Sequence, residues 1–285
     1  MSPSSHGMPV TLTPVHGALA GKAVSDQVAV EEPLEIRLGF QTPECWSTRS
    51  LSITMRTPGH DLELAAGFLL SEGIIRTPAD LAAMAESAKP GSNIVRVDLA
   101  PSVAFDADRL ARHFYTTSSC GVCGRSSLDA LTVRGLQPLP RSTFHFPARL
   151  IHALPDSLRH AQSGFNVTGG LHASALFDSA GNLLALNEDV GRHNALDKLI
   201  GRELLEGRIP LDNRLLLVSG RVSFELVQKA LTAGIPLLAA VGAPSSLAVE
   251  LAREFDLTLI GFVRNSRFNV YSGEWRITYE TENAE

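Results

Sequence analysis

Cys120 and Cys123 are two of only three cysteines in the chain, separated by two residues in the run Thr116-Thr117-Ser118-Ser119-Cys120-Gly121-Val122-Cys123-Gly124. A thiolate is a strong nucleophile and a sulfur acceptor, and two at this spacing can attack, hand over or resolve sulfur. The surrounding small, hydroxyl-bearing and glycine residues make poor core. Gly124-Arg125-Ser126-Ser127-Leu128-Asp129 reads as a capped helix start, so the positive helix end and Arg125 should lower the thiol pKa. Two other chemistries share the spacing. Half of a structural zinc site would need further ligands, and only Cys45 and scattered histidines are left to supply them. A thioredoxin-like dithiol would normally follow a strand directly in a βαβ frame.

A second candidate is basic. In Phe262-Val263-Arg264-Asn265-Ser266-Arg267-Phe268-Asn269, two arginines three apart can fork onto phosphate oxygens, while Asn265, Ser266 and Asn269 can hydrogen-bond a base or sugar. A solvated turn would use the same residues. Gly220-Arg221, between an apolar run and a helical pattern, could bind an anion at the following helix N-terminus. Arg192 and His193, flanked by Asp189 and Asp197, read as an internal ion-pair and capping network, and His172 as structural.

These groups need elements to position them. Residues 29–40 and 51–56 read as strands, the second with Leu51, Ile53 and Met55 on a dry face and Ser52, Thr54 and Arg56 on a wet one. Residues 61–70 carry Leu62, Ala65, Ala66 and Leu69 at helical spacing, and Thr77-Pro78 predicts a second helix. Another strand follows at 94–99. Residues 171–177 and 183–186 flank a hairpin turn, and a helix follows Arg192. Apolar runs at 215–218, 237–241 and 257–262 alternate with helical patterns at 223–233 and 246–254. That is a parallel βαβαβ unit, with ligand expected at the carboxyl ends of its strands. The fold class is α/β. The expected division is a flexible arm over 1–27, a smaller N-terminal α+β domain over 28–135, a linker region over 136–163 and a C-terminal α/β cofactor-binding domain over 164–285.

The formal charge of −5 over 285 residues is spread without long runs, which argues against bulk attraction to nucleic acid. No window holds the 18 consecutive apolar residues of a spanning helix, so no membrane is expected. Met1 to Gly7 lack a secretory layout, and three cysteines make no disulfide framework. These features place the protein in the cytoplasm.

With these segments in place, the chain resembles a known family, the formate dehydrogenase accessory sulfurtransferases, or FdhD proteins. The likeness rests on Ser119-Cys120-Gly121-Val122-Cys123-Gly124, on Asn166-Val167-Thr168-Gly169-Gly170-Leu171-His172, and on Glu188-Asp189-Val190-Gly191-Arg192-His193-Asn194-Ala195-Leu196-Asp197-Lys198. It continues through Ser219-Gly220-Arg221-Val222-Ser223-Phe224-Glu225, Gly261-Phe262-Val263-Arg264 and Arg267-Phe268-Asn269-Val270-Tyr271, from about residue 28 to 280. The resemblance implies a sulfurtransferase that takes persulfide sulfur from a cysteine desulfurase. It would pass that sulfur to molybdenum bis(molybdopterin guanine dinucleotide), a pterin cofactor destined for the formate dehydrogenase catalytic subunit.

By position, Cys120 would hold the persulfide and Cys123 assist or receive it. Phe262, Val263, Arg264, Asn265, Ser266 and Arg267 would face the guanine dinucleotide, with Gly220 and Arg221 alongside. A cytidine-deaminase-like C-terminal domain and a homodimer are also implied. The zinc site of such deaminases, His/Cys-x-Glu followed by Pro-Cys-x-x-Cys, is absent from the sequence, where Ser119 precedes Cys120, so no structural metal is expected. Asn265-Ser266 stands where the family usually has a glycine after the arginine. The alternative function is a cofactor chaperone that delivers the guanine dinucleotide pterin without handling sulfur.

Overall fold

The computed structural model describes residues 7–89, 91–105, 136–141, 144–264 and 266–280. The expected loose arm is, over its described part, a ribbon. β1 (Gly7–Leu12) pairs antiparallel with β4 (Val24–Ala29), and β2 (Val15–His16) with β3 (Leu19–Ala20) between them. Most of its side chains are exposed, so no apolar period marks it in the sequence.

β5 (Glu32–Gln41) pairs with β6 (Trp46–Arg56), which a turn holding exposed Cys45 precedes. Leu34, Ile36, Leu38 and Phe40 line the buried face of β5 and pack with Leu64, Ala65 and Leu69 of α1 (Asp61–Ser71). The expected faces of residues 51–56 are corrected at their C-terminal end. Ile53 and Met55 are 68% and 48% exposed, whereas Arg56 is 2% exposed. Burial of Arg56 is possible because the Asp61 carboxylate accepts from its Nε and Nη2 at 3.0 and 2.7 Å, and Asn93 Oδ1 accepts from Nη2 at 3.1 Å.

The helix expected from Thr77 is also corrected. One 3₁₀ turn at Pro78–Asp80 gives way to strand β7 (Leu81–Glu86), which pairs antiparallel with β8 (Ile94–Leu99). The Asp80 carboxylate accepts from the Arg76 and Thr77 amides and closes the turn, and strand pairing then overrides helix propensity. β8 runs parallel to β5, giving the order β6-β5-β8-β7.

Residues 136–163 are not an open linker where they are described. β9 (Phe146–Pro147) is followed by α2 (Ala148–Ile151), α3 (Leu154–Ala161) and α4 (Ser163–Thr168), and Phe146 is fully buried. The hairpin of β10 (His172–Phe177) and β11 (Leu183–Asp189) leads into α5 (Arg192–Leu205). Then β12 (Leu215–Val218), α6 (Phe224–Thr232), β13 (Leu237–Ala240), α7 (Ser246–Glu254) and β14 (Thr258–Arg264) follow.

β12, β13 and β14 are parallel, as their buried runs predict. The sheet continues antiparallel at both sides, through β10 and through β15 (Arg267–Ser272), in the order β11-β10-β12-β13-β14-β15. β16 (Ile277–Thr278) closes the chain beside β9.

Alternation sends Ala173, Ala175, Phe177, Leu215 and Leu217 to one face of this sheet, against Phe146, Ile151 and Leu158. Leu176, Leu216, Val218 and Leu238 point the other way, into a core shared with α5, α6, α7, α1 and the four-stranded sheet. Two glycines let α1 and α5 cross. A Cβ at Gly67 would collide with the Asp197 carbonyl, and one at Gly201 with the Glu63 carbonyl.

Candidate functional site

At the carboxyl edge of the three parallel strands the loops stay tied by backbone hydrogen bonds. Gly242 N–H donates to the Gly220 carbonyl, and Phe262 N–H to the Gly242 carbonyl, both at 3.0 Å. A Cβ at Gly242 would lie 2.8 Å from the Gly220 oxygen, so glycine is required there. Gly220 and Arg221 are thereby joined through one residue to Phe262. Gly220 itself makes room for His172, whose Nδ1 would sit 3.3 Å from an added Cβ.

Phe262 has φ 57° and Ser266 φ 55°, left-handed conformations that bulky or β-carbon-bearing residues adopt only when the surroundings hold them. Ser266 thus holds a left-handed conformation that glycine adopts without steric cost. Arg264 and Arg267 are direct partners across the turn, both exposed, with no ion pair to a described residue. Arg264 lies 5.6 Å from the centre of the Phe262 ring. Like charges placed opposite each other repel, and an anion between them removes the penalty. Val263 points into the core and is fully buried, so its contribution to an edge site would be through its backbone. Cys120, Cys123 and Asn265 lie outside the described residues.

On the β10 side of this edge stand His172, Arg192 and His193. Burial lowers the pKa of His172, Arg192 lowers it further, and Asp189 opposes them. His193 is likewise lowered, first by burial; its Nε2 is 3.2 Å from Ser223 Oγ and 3.7 Å from the Glu225 carboxylate, which works the other way.

The acidic residues around them form a buried network, but the expectation that Arg192 and His193 would make it is corrected: the carboxylates take lysines instead, because Lys198 and Lys229 reach them from inside the core. Asp189, fully buried, pairs with Lys198 Nζ at 2.7 Å and accepts from the Thr57 amide at 3.1 Å, while Lys198 donates to the Thr57 carbonyl at 2.7 Å. Asp197 holds Lys229 at 2.8 Å and accepts from Ser71 Oγ at 2.9 Å. Asn194 Nδ2 donates to the Met55 carbonyl at 2.7 Å. The partners Thr57, Ser71 and Lys229 carry no local signal, being 32 to 141 residues away from the groups they meet. Glu188 accepts from the Gly164 and Phe165 amides at 2.8 Å, capping α4.

Fold and edge together define an α/β protein that gathers arginines, histidines and close-packed glycines where its parallel strands end. The model of the FdhD/NarQ family matches residues 29–278, and the chain belongs to that family. Among similar proteins, the "Sulfur carrier protein FdhD" of Streptomyces avermitilis is 51% identical over 259 residues, covering 88% of this chain and 89% of the relative. Its counterpart in Mycobacterium tuberculosis is 48% identical, covering 89% of this chain and 92% of its own. That of Saccharolobus solfataricus is 44% identical over 253 residues, with 89% and 91% covered. A crystal structure of a provisionally assigned formate dehydrogenase accessory protein from Desulfotalea psychrophila superposes with a TM-score of 0.73. It is 24% identical and covers 96% of this chain and 100% of its own, a likeness of fold.

Proposed function

We propose that this chain is a sulfur carrier that serves formate dehydrogenase maturation as a sulfurtransferase. The Cys120 thiolate attacks the outer sulfur of a cysteine desulfurase persulfide. The donor's S–S bond breaks, the donor cysteine leaves as a thiolate, and Cys120–S–SH forms. Attack of Cys123 on the inner sulfur of Cys120 then expels hydrosulfide for the molybdenum of the bis(molybdopterin guanine dinucleotide) substrate. It leaves a Cys120–Cys123 disulfide that a thiol reductant reopens, so the two cysteines supply the two electrons.

The observation that carries the substrate half is the Arg264/Arg267 pair, two like charges facing each other at the carboxyl edge with no carboxylate of a described residue paired to either. The sulfur half is supported by relatives of 44–51% identity that are named sulfur carriers. The order of the six-stranded sheet, with parallel strands between antiparallel neighbours, supports the cytidine-deaminase-like reading of the C-terminal half. A homodimer in the cytoplasm, meeting a desulfurase and the dehydrogenase catalytic subunit, completes the proposal.

Mass spectrometry after incubation with desulfurase and cysteine tests it. The expected result is an adduct of about 32 Da, one sulfur atom, that Cys120→Ala removes. A native chain that gains no adduct sinks the sulfur-transfer reading.

A further inference from the structure

His193, in the first turn of α5, is braced at one ring nitrogen. Ser223 Oγ lies 3.2 Å from its Nε2 and the Glu225 carboxylate 3.7 Å. Ser223 is the N-cap of α6, where a serine oxygen ordinarily accepts from an amide of the first turn, yet it makes no such bond. Its hydroxyl acts as a donor to the Glu225 carboxylate instead. Burial pushes that carboxyl up, but the bonds from Ser223 and from its own amide, with His193 and Arg192 nearby, carry it below the ordinary value. It is therefore ionised at neutral pH.

A hydroxyl that gives its only proton to Glu225 can meet His193 only as an acceptor. This assigns the proton of the neutral imidazole to Nε2 and leaves the lone pair on Nδ1. Among the described residues Nδ1 has no hydrogen-bond partner, and it is not one of the buried unpartnered atoms, so it stays accessible. Glu225 and Lys229 of α6 and Arg192 and Asp197 of α5 face the ring. Burial, helped by the two cations, outweighs the two carboxylates and holds the imidazole below its ordinary value, hence neutral near pH 7. Ser223 is no nucleophile in this arrangement, because Nε2 faces it as a donor. The group is a general base: neutral, fixed at one nitrogen, open at the other, with a carboxylate behind it to stabilise the imidazolium that forms.

We propose that His193 moves the proton in sulfur release, with Ser223 and Glu225 as its positioning residues. The inference rests on the sulfur-transfer reading above, in which that proton has no carrier. The attacking thiol gives its proton to Nδ1 as its sulfur bonds to the inner sulfur of the Cys120 persulfide. The persulfide S–S bond breaks, and the departing hydrosulfide takes the proton back from His193. In sum, a persulfide and a thiol become a disulfide and hydrogen sulfide. The departing sulfur keeps the electron pair of the broken bond, and the pair from the attacking thiolate makes the new one.

The test follows release by itself. The full chain is loaded with desulfurase and cysteine and freed of both. Loss of the adduct of about 32 Da, one sulfur atom, is then timed by mass spectrometry between about pH 5 and 8. The native rate should be level at high pH and fall on acidification through a pKa below about 6.5, as His193 becomes charged. His193→Gln should release sulfur about a hundredfold more slowly, without that fall, and load within about twofold of the native rate. Glu225→Gln keeps an acceptor for Ser223 but removes the charge that favours imidazolium, so its fall should move to lower pH. The Glu225 side chain is 59% exposed, so this variant serves if His193→Gln does not fold.

A His193→Gln chain that releases sulfur with the native pH dependence overturns the inference. So does one whose loading and release slow in step, the mark of a structural role. A fall that stays in place in Glu225→Gln overturns the positioning roles. A native chain that takes up no sulfur, or never releases it, ends the sulfur-transfer reading and this inference with it. One that loads and releases sulfur regardless of His193 leaves that reading standing and ends only this inference.

Discussion

Asp189 and Arg192 stand three residues apart at the same helix start, yet they do opposite things. Asp189 is saturated with donors, while the Arg192 Nε finds no acceptor among the described residues. Sequence made an ion-pair network around Asp189 and Asp197 legible, but assigned it to Arg192 and His193 rather than to Lys198 and Lys229. It could not separate Arg192 from that network, because whether a guanidinium finds a partner is decided by residues far along the chain. The two nearby histidines give this region a pH response. Both His172 and His193 are held below the ordinary value near 6.5, chiefly by burial. Below that pH the unfolded chain takes up protons that the folded chain resists, so the stabilising contribution is complete above about pH 6.5 and falls as pH drops toward the folded pKa values. Melting temperatures between about pH 7.5 and 5 should decline on acidification. The decline should be shallower when His172 and His193 are both replaced by asparagine, and an identical slope would contradict it.

Elements were readable where burial is complete. Four-residue apolar strands closed by glycine or serine, alternating with amphipathic helices, specified β12 through β14 and their parallel order. Elements that are half exposed or paired at a distance were not readable. β7 carries a helical propensity that its pairing with β8 overrides, β1 and β4 expose most of both faces, and β15 follows a turn whose arginines look solvated in sequence. Arg56 is buried where alternation placed it in water, because Asp61, five residues on in α1, meets it. The contact between α1 and α5 is the most constrained of all, glycine on each side admitting the other's backbone carbonyl. Gly201→Ala should therefore destabilise the chain by about 3 kcal/mol, the upper end of overpacking penalties, measured by urea unfolding. A change below about 0.5 kcal/mol would show that the crossing can open without cost.

At the scale of the whole molecule, the division into halves drawn from sequence meets a single hydrophobic cluster. Leu38 and Val97 from one sheet and Leu216 and Leu238 from the other belong to it, with α1 and α5 between. Hydrogen bonds from the Thr57 amide to the Asp189 carboxylate and from Lys198 Nζ to the Thr57 carbonyl cross the same boundary. This continuity has a thermodynamic consequence for a ligand that never touches the N-terminal sheet. Strands that can unfold only together share their stability, so a nucleotide at the edge of β12 to β14 should slow amide hydrogen exchange in β5 and β8 as much as in β13. At a free concentration about 100 times its dissociation constant, the expected protection is about a hundredfold for amides that exchange through global unfolding. Protection confined to the six-stranded sheet would mean that the two sheets open separately despite their common core.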